Sequence, residues 1–262
     1  MNGLDSAGTQ PALFPRSKVM QAVAHRVLIA IPAYDEEGTI RNTVNQVREA
    51  LPGFDLLIVN DGSCDSTARV LESLQVIVAT HLCNLGYGHA IQTAIRYALQ
   101  EDYDVLITLD ADGQHHPDQV QDIYNESIKG EWDVLIGSRH LVSRKYSNVP
   151  LGRRIGMKTF SFLVKLVTGQ RIYDTSSGLK IIKRSVFKPL TSWRFVDLHA
   201  EAIVYLMRLG YKVGEFPIAV SEREQGESMY SALSHFKYPL KTGLLVLLGV
   251  IQAMLARKGK RQ

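Results

Sequence analysis

Five short runs rich in Val, Ile and Leu recur along the first half of the chain: VLIAIP (27–32), FDLLIVND (54–61), VIVAT (76–80), DVLITLD (104–110) and DVLIGS (133–138). Runs this short and this apolar read as strands buried on both faces. Stretches with helical spacing lie between them, at 36–51, 66–74, 88–100 and 117–129. In the third of these, Ala90, Ile91, Ala94, Ile95, Ala98 and Leu99 recur every three or four residues, the stripe of a helix packed on a sheet. Strand and helix in alternation predict an α/β fold, a mostly parallel central sheet with helices on both faces. In such open sheets ligands bind beyond the carboxyl ends of the strands, so chemistry is sought there.

Three of those ends carry polar clusters: PAYDEE (32–37), NDGSCDST (60–67) and DADGQHH (110–116). Taken singly, each reads as a turn with Asp or Ser capping the next helix. Taken together they ask for a ligand. Asp110 and Asp112 stand two residues apart where an apolar run stops, followed by Gly113, Gln114 and two histidines. One carboxylate can face a sugar or ribose while the other grips a divalent ion. Mg²⁺ or Mn²⁺ takes one or two carboxylates plus phosphate oxygens and water, and Mn²⁺ accepts imidazole more readily.

Bulk properties narrow the field without choosing. The chain has 262 residues, 45% of them hydrophobic and 21% charged, the composition of a folded soluble protein. A formal charge of +4 and a pI near 9.0 suit an acidic partner such as a phosphorylated substrate or anionic lipid. Two cysteines, Cys64 and Cys83, fit neither a disulfide framework nor a zinc site, so a reducing compartment and structural thiols are expected. Residues 1–25 lack the apolar core of a signal peptide and read as a loose tail, so export is not expected.

Seven ordered segments, IPAYDEE, VNDGSCDST, NLGYGHAIQTAI, LDADGQHHP, IGSR, DTSSGLKIIKR and AEAIVYLMRLGYKVGEFPI, resemble the family 2 inverting glycosyltransferases. Within that family the similarity is to the dolichyl- or polyprenyl-phosphate sugar synthase branch, and it runs from about residue 26 to 230. The resemblance implies a single nucleotide-diphosphosugar transferase domain of the GT-A type at 26–232, between the tail at 1–25 and an apolar helix with a basic tail at 233–262. It also implies site roles. Pro32, Tyr34, Glu36 and Asp61 would hold the nucleoside, with Asp61 near the base. Asp110 would lie along the donor's ribose or sugar, and Asp112 with Gln114 would ligate Mg²⁺ or Mn²⁺ on the diphosphate. Asp174 matches the acidic residue proposed as base in related enzymes, and Glu201 a helix carboxylate on the acceptor side, while His199 reads as a packed surface histidine.

Guanidinium forks match phosphate oxygens, which makes Arg139 and Arg223 candidates for the donor diphosphate, and Arg153 and Arg154 for the acceptor phosphate. The chain departs from its relatives at Met229 and Tyr87, where many or some of them have lysine. The implied reaction moves a sugar from a nucleotide diphosphate donor to a polyprenyl phosphate. A polysaccharide or other non-lipid acceptor, a nucleotidyltransferase and a non-catalytic nucleotide-sugar binder are the alternatives. A nucleotidyltransferase usually carries a Gly-rich basic loop after the first strand, and PAYDEEGT offers none. A dehydrogenase is disfavoured because no G-X-G-X-X-G follows that strand.

Two segments point to a membrane surface. On a helical wheel Arg154, Lys158, Ser161 and Lys165 form one stripe, with Ile155, Phe160, Phe162, Leu163, Val164, Leu166 and Val167 on the remainder, as an interfacial helix requires; a helix packed on the sheet with snorkelling lysines is the alternative. The run 243–256 is apolar all round and so must be buried, paired or lipid-embedded. As a helix it rises about 21 Å, short of the roughly 30 Å hydrocarbon core, so peripheral attachment to the cytoplasmic membrane face is expected.

Overall fold

Apolar runs that alternate sides of a sheet need a layer on each face, and the chain supplies both. The computed structural model describes residues 25–111, 117–141, 151–192, 199–219 and 234–259. Its elements are β1 (Val27–Ala33), α1 (Ile40–Ala50), β2 (Asp55–Asn60), α2 (Thr67–Glu72), β3 (Ile77–Thr80), α3 (Tyr87–Gln100), β4 (Val105–Thr108), α4 (Pro117–Lys129), β5 (Val134–Ser138), α5 (Leu151–Thr168), β6 (Lys180–Lys183), α6 (Phe187–Thr191), α7 (Ala200–Leu209), β7 (Val213–Pro217) and α8 (Ser234–Gly259). Seven strands form one sheet in the order β3-β2-β1-β4-β6-β5-β7.

Successive residues of β1 go to opposite layers: Leu28 and Ala30 pack in one core with α3, α6 and α7, while Val27, Ile29 and Ile31 pack in the other with α1 and α4. Burial of apolar side chains on both faces is why these strands show no polar alternation. Each strand expected from the sequence forms. The strands at 180–183 and 213–217 are additional, and β6 runs antiparallel to both β4 and β5. That reversal positions the site. β1, β2, β4 and β5 point the same way, so their carboxyl ends share one edge, and an antiparallel β6 brings its amino end, with the preceding 174–179 turn, to that edge.

The carboxyl-terminal half builds a helical layer on one face. α7 ends at Gly210, whose φ of 96° favours glycine; the Gly210 and Tyr211 amides return to the Met207 and Leu206 carbonyls at 3.1 Å each. α8 packs on both α7 and α5. At its crossing with α7, a Cβ on Gly249 would lie 2.6 Å from the Glu201 carbonyl oxygen, so the absence of a side chain there permits the contact. Leu245, Val246, Gln252 and Ala253 are buried along this helix, whereas Leu244, Leu247, Ile251, Met254 and Leu255 are exposed. The run expected to be buried, paired or lipid-embedded is thus half buried in protein.

On α5 the expected polar stripe is corrected. Lys158 and Lys165 are exposed, but Ser161 is buried and its hydroxyl accepts from Arg171 Nε at 3.1 Å, while Phe162 and Leu166 are exposed. The described outer face is basic and apolar in alternation. The two cysteines are free and exposed, not packed as structural thiols.

Candidate active site

Loops leaving parallel strands have no ladder to hold them, and here side chains lace them together. Asp35, at a left-handed φ of 53°, donates its backbone N–H to Ser63 Oγ at 3.1 Å, and its carboxylate accepts from the Cys64 amide at 2.8 Å. The Glu36 amide donates to Thr67 Oγ1 at 2.8 Å, and the Glu36 carboxylate accepts from the Thr39 hydroxyl. Within the loop after β2 the Asp65 carboxylate accepts from the Thr67 amide at 2.9 Å, closing a local turn. Pro32 sits within β1, and Tyr34 is exposed just past it. The expected helix caps do not form: neither Thr39 at the N-cap of α1 nor Ser66 at the N-cap of α2 makes a side-chain cap bond, and the polar side chains brace one loop against the other instead.

Asp61, expected near the base, is buried and heavily used by the protein. Its carboxylate accepts from the Leu85 amide at 3.0 Å and the Gly86 amide at 2.7 Å, and pairs with His81 Nδ1 at 2.6 Å. The far ring nitrogen of His81 meets Thr93 Oγ1 of α3 at 2.9 Å. Asp61 thereby fixes the 81–86 loop and the start of α3. Gly62, at a φ of 71°, lets that loop press directly on its backbone. His81 carried no signal in the sequence, because a lone histidine after a strand looks like any other surface residue.

Asp110 lies beyond the carboxyl end of β4, beside the 176–178 turn. A Cβ at residue 178 would overlap the Asp110 carboxylate, so glycine is required for the two to share this space. Thr108, the one polar residue of β4, donates its hydroxyl to the Gly178 carbonyl at 2.6 Å. The metal candidates Asp112 and Gln114 lie outside the described residues, as does Arg223; α5 carries Arg153 and Arg154 on its first turns, but their side chains are outside the description. Among the described residues no group of three or more His, Cys, Asp or Glu forms a metal cluster.

Arg139 and Asp174 come together from 35 residues apart. Arg139 Nε donates to Asp174 Oδ2 at 2.7 Å, Nη2 to Oδ1 at 2.8 Å, and the Arg139 backbone N–H to Oδ2 at 3.1 Å. Ser176 Oγ adds a fourth donor at 3.3 Å. The carboxylate is fully buried. Burial pushes its pKa up, but the hydrogen bonds and charge of Arg139 outweigh this and hold it below the ordinary carboxylate range. Behind it, Glu215 of β7 accepts from the Tyr173 and Asp174 amides at 2.8 Å each. Burial raises the Glu215 pKa, with those amides opposing it. Glu215 was not anticipated; its signal was a lone acid inside VGEFPI.

Glu201 is fully buried on the first turn of α7, enclosed at the α7–α8 crossing. His199 is half-buried and packed: its ring stacks on Tyr87 at 5.0 Å and 16°, with Nδ1 3.4 Å from Lys180 Nζ.

With this geometry in hand, the relatives can be placed. The profile of "Glycosyl transferase family 2" matches residues 28–191. The chain is 31% identical over 221 residues to the undecaprenyl-phosphate mannosyltransferase of Micrococcus luteus, covering 79% of this chain and 88% of that protein. It is 30% identical to the UDP-N-acetylglucosamine–dolichyl-phosphate N-acetylglucosaminyltransferase of Methanococcus voltae, covering 73% and 84%. In fold it is similar to glucosyl-3-phosphoglycerate synthase of Mycobacterium tuberculosis solved with Mn²⁺, UDP-glucose and phosphoglyceric acid, with a TM-score of 0.63 at 17% identity over 86% of this chain and 79% of that one.

The ion pair makes a stability prediction. Asp174→Asn leaves Arg139 without its carboxylate and should cost roughly 3 kcal/mol at neutral pH. Because the folded pKa is depressed, the native pair stabilises fully above the unfolded value of about 3.9 and loses that contribution as pH falls through the folded value. Denaturant unfolding at stepped pH should show the gap between wild type and variant closing in that acid window. A gap unchanged down to acid would refute the assignment.

Proposed function

The chain belongs to the family 2 glycosyltransferases, with a single GT-A domain, and from that premise we propose that it transfers a sugar from a nucleotide diphosphate sugar to a polyprenyl phosphate, with inversion. The observation that carries this reading is the shared edge: Asp61, Asp110, Arg139 and the Asp174 turn all lie where the parallel strands end. The named activities of the relatives from M. luteus and M. voltae support the lipid phosphate as acceptor.

In this reading exposed Tyr34 offers the base a flat apolar face, while Pro32 and Glu36 shape its ledge and Asp61 holds the loop that completes it. Asp110 orients the donor's sugar. Asp112 and Gln114 carry hard oxygen donors of the kind Mg²⁺ or Mn²⁺ takes and would hold the ion. When bound there, the ion supplies neutralisation of charge on the leaving nucleotide diphosphate. Arg139 and Arg223 serve the donor's phosphates, Arg153 and Arg154 the acceptor's.

An acceptor phosphate is anionic at neutral pH, so its oxygen attacks the anomeric carbon without a strong base. The bond to the diphosphate breaks on the opposite face, which inverts the centre. Asp174, saturated by four donors and held ionised, is better suited to fix Arg139 than to take a proton. Glu201, enclosed between helices, is likewise given no proton-transfer role.

The α5–α8 face is assigned to a membrane surface. Phe162 and Leu166 on α5, and Leu244, Leu247 and Ile251 on α8, are exposed apolar side chains accompanied by exposed Lys158, Lys165 and Arg257. Apolar side chains among cations suit the boundary of an anionic bilayer. Among the described residues no helix is long and apolar enough to cross a membrane, and the attachment proposed is peripheral. Two exposed free thiols fit the reducing, cytoplasmic side.

Two outcomes are expected. One of UDP, GDP, CDP or dTDP should raise the melting temperature in the presence of Mn²⁺ but not EDTA, and Asp112→Ala should abolish the shift. No shift with any nucleotide would argue for a different ligand. Full-length protein should float with anionic vesicles, and Phe162→Glu with Leu166→Glu should release it while preserving the nucleotide shift. Wild-type protein indifferent to vesicles would remove the membrane assignment.

A further inference from the structure

Lysine in a sheet interior needs a reason. Lys180 opens β6, is 6% exposed, and stands opposite Thr108 of β4 in the antiparallel register. Its stem and Thr108 line a largely apolar cavity with Tyr87, Ile91, Ile182 and Ala202. Burying an ammonium in such surroundings costs several kcal/mol unless its donors are used.

Those donors are used on one short turn. The ammonium donates to the Ser177 carbonyl, and its cross-strand partner Thr108 donates to the next carbonyl, Gly178, at 2.6 Å. Two consecutive peptide oxygens are thus gripped by two facing side chains. In a low-dielectric setting such charge-assisted bonds are strong and directional. From the side, His199 Nδ1 lies 3.4 Å from the ammonium, its ring steadied by the stack on Tyr87. With Lys180 as donor, this nitrogen is the acceptor.

The gripped turn is the wall beside Asp110. Gly178 lies so near the Asp110 carboxylate that a single added carbon would overlap it. Any shift of the 177–178 peptides therefore changes the space in which that carboxylate can sit. We propose that Lys180 and Thr108 are positioning residues that set the Asp110 carboxylate toward the donor's sugar by clamping the Ser177–Gly178 turn. The inference rests on the transferase reading above and deepens it. It separates the site into a nucleotide half, braced through Asp61 and His81, and a sugar half, braced through Lys180 and Thr108.

The separation can be measured. Dissociation constants for the matching nucleotide diphosphate and for the intact sugar nucleotide are determined by calorimetry beside steady-state transfer, for wild type, Lys180→Met, Thr108→Val and Thr108→Ser. Lys180→Met tests the ammonium, and the near-isosteric Thr108→Val tests the same turn should the first variant fold poorly. The clamp predicts that Thr108→Val lowers kcat by about tenfold to a hundredfold, the scale of a small misplacement of a reacting group. It also predicts loss of the extra affinity contributed by the sugar, nucleotide diphosphate affinity within about twofold of wild type, and recovery in Thr108→Ser. Equal losses of nucleotide diphosphate affinity and kcat would mark a merely structural role and overturn the proposal, as would an active wild type matched by Thr108→Val. Wild-type protein that binds no nucleotide and moves no sugar would overturn the transferase reading itself, and this inference with it.

Discussion

A carboxylate without solvent costs several kcal/mol unless donors surround it, and Asp174 is surrounded. Arg139 reaches it through its side chain and backbone, and Ser176 adds a hydroxyl. The site's geometry follows from this contact. Arg139 comes from the end of β5, and Asp174 opens the turn that leads into β6, so their union ties the antiparallel strand to its neighbour at the edge where the parallel strands end. Glu215 anchors the same turn from β7 through two amides. Downstream, Gly178 meets Asp110. The salt bridge, the strand reversal and the Asp110 carboxylate belong to one connected piece of structure.

That arrangement also bears on the role we propose for Asp174. A general base needs an available lone pair and a pKa near the working pH. Asp174 has neither, since its oxygens are taken and Arg139 holds its pKa down. A phosphate acceptor removes the need for a strong base, so a carboxylate at this position serves better as the fixed partner of a cation. In the proposed reaction the chemistry then depends on placement and charge neutralisation.

What the sequence disclosed follows from what patterns can encode. Runs such as VLIAIP and DVLIT announced strands because burial on both faces removes polar residues from them, and the polar residues just beyond marked the edge. KIIK and VGEFP did not announce theirs: the first is four residues with a lysine at each end, and the second holds a glycine, an acid and a proline. Lys180 looks like a strand-end surface lysine until the fold buries it. Asp174 and Arg139 were each visible as residue types, but a pairing across 35 positions is a property of topology, not of spacing. Ser161 joined a basic stripe on the helical wheel because a wheel does not say which side the protein covers; Arg171, from beyond the end of α5, claims its hydroxyl. Asp112, Gln114 and Arg223 lie outside the described residues, so their assignments rest on residue chemistry and the family resemblance.

The central claim is inverted transfer to a lipid phosphate, and the most direct test follows the sugar. Full-length protein, vesicles containing a polyprenyl phosphate and a radiolabelled nucleotide sugar of the base identified by binding are incubated with Mn²⁺. The organic phase is then extracted and the anomeric configuration of its product determined. The account predicts label in the lipid phase, attached through phosphate, with configuration opposite to that of the donor. Label that remains in water while nucleotide is consumed, or a lipid product with retained configuration, would contradict it.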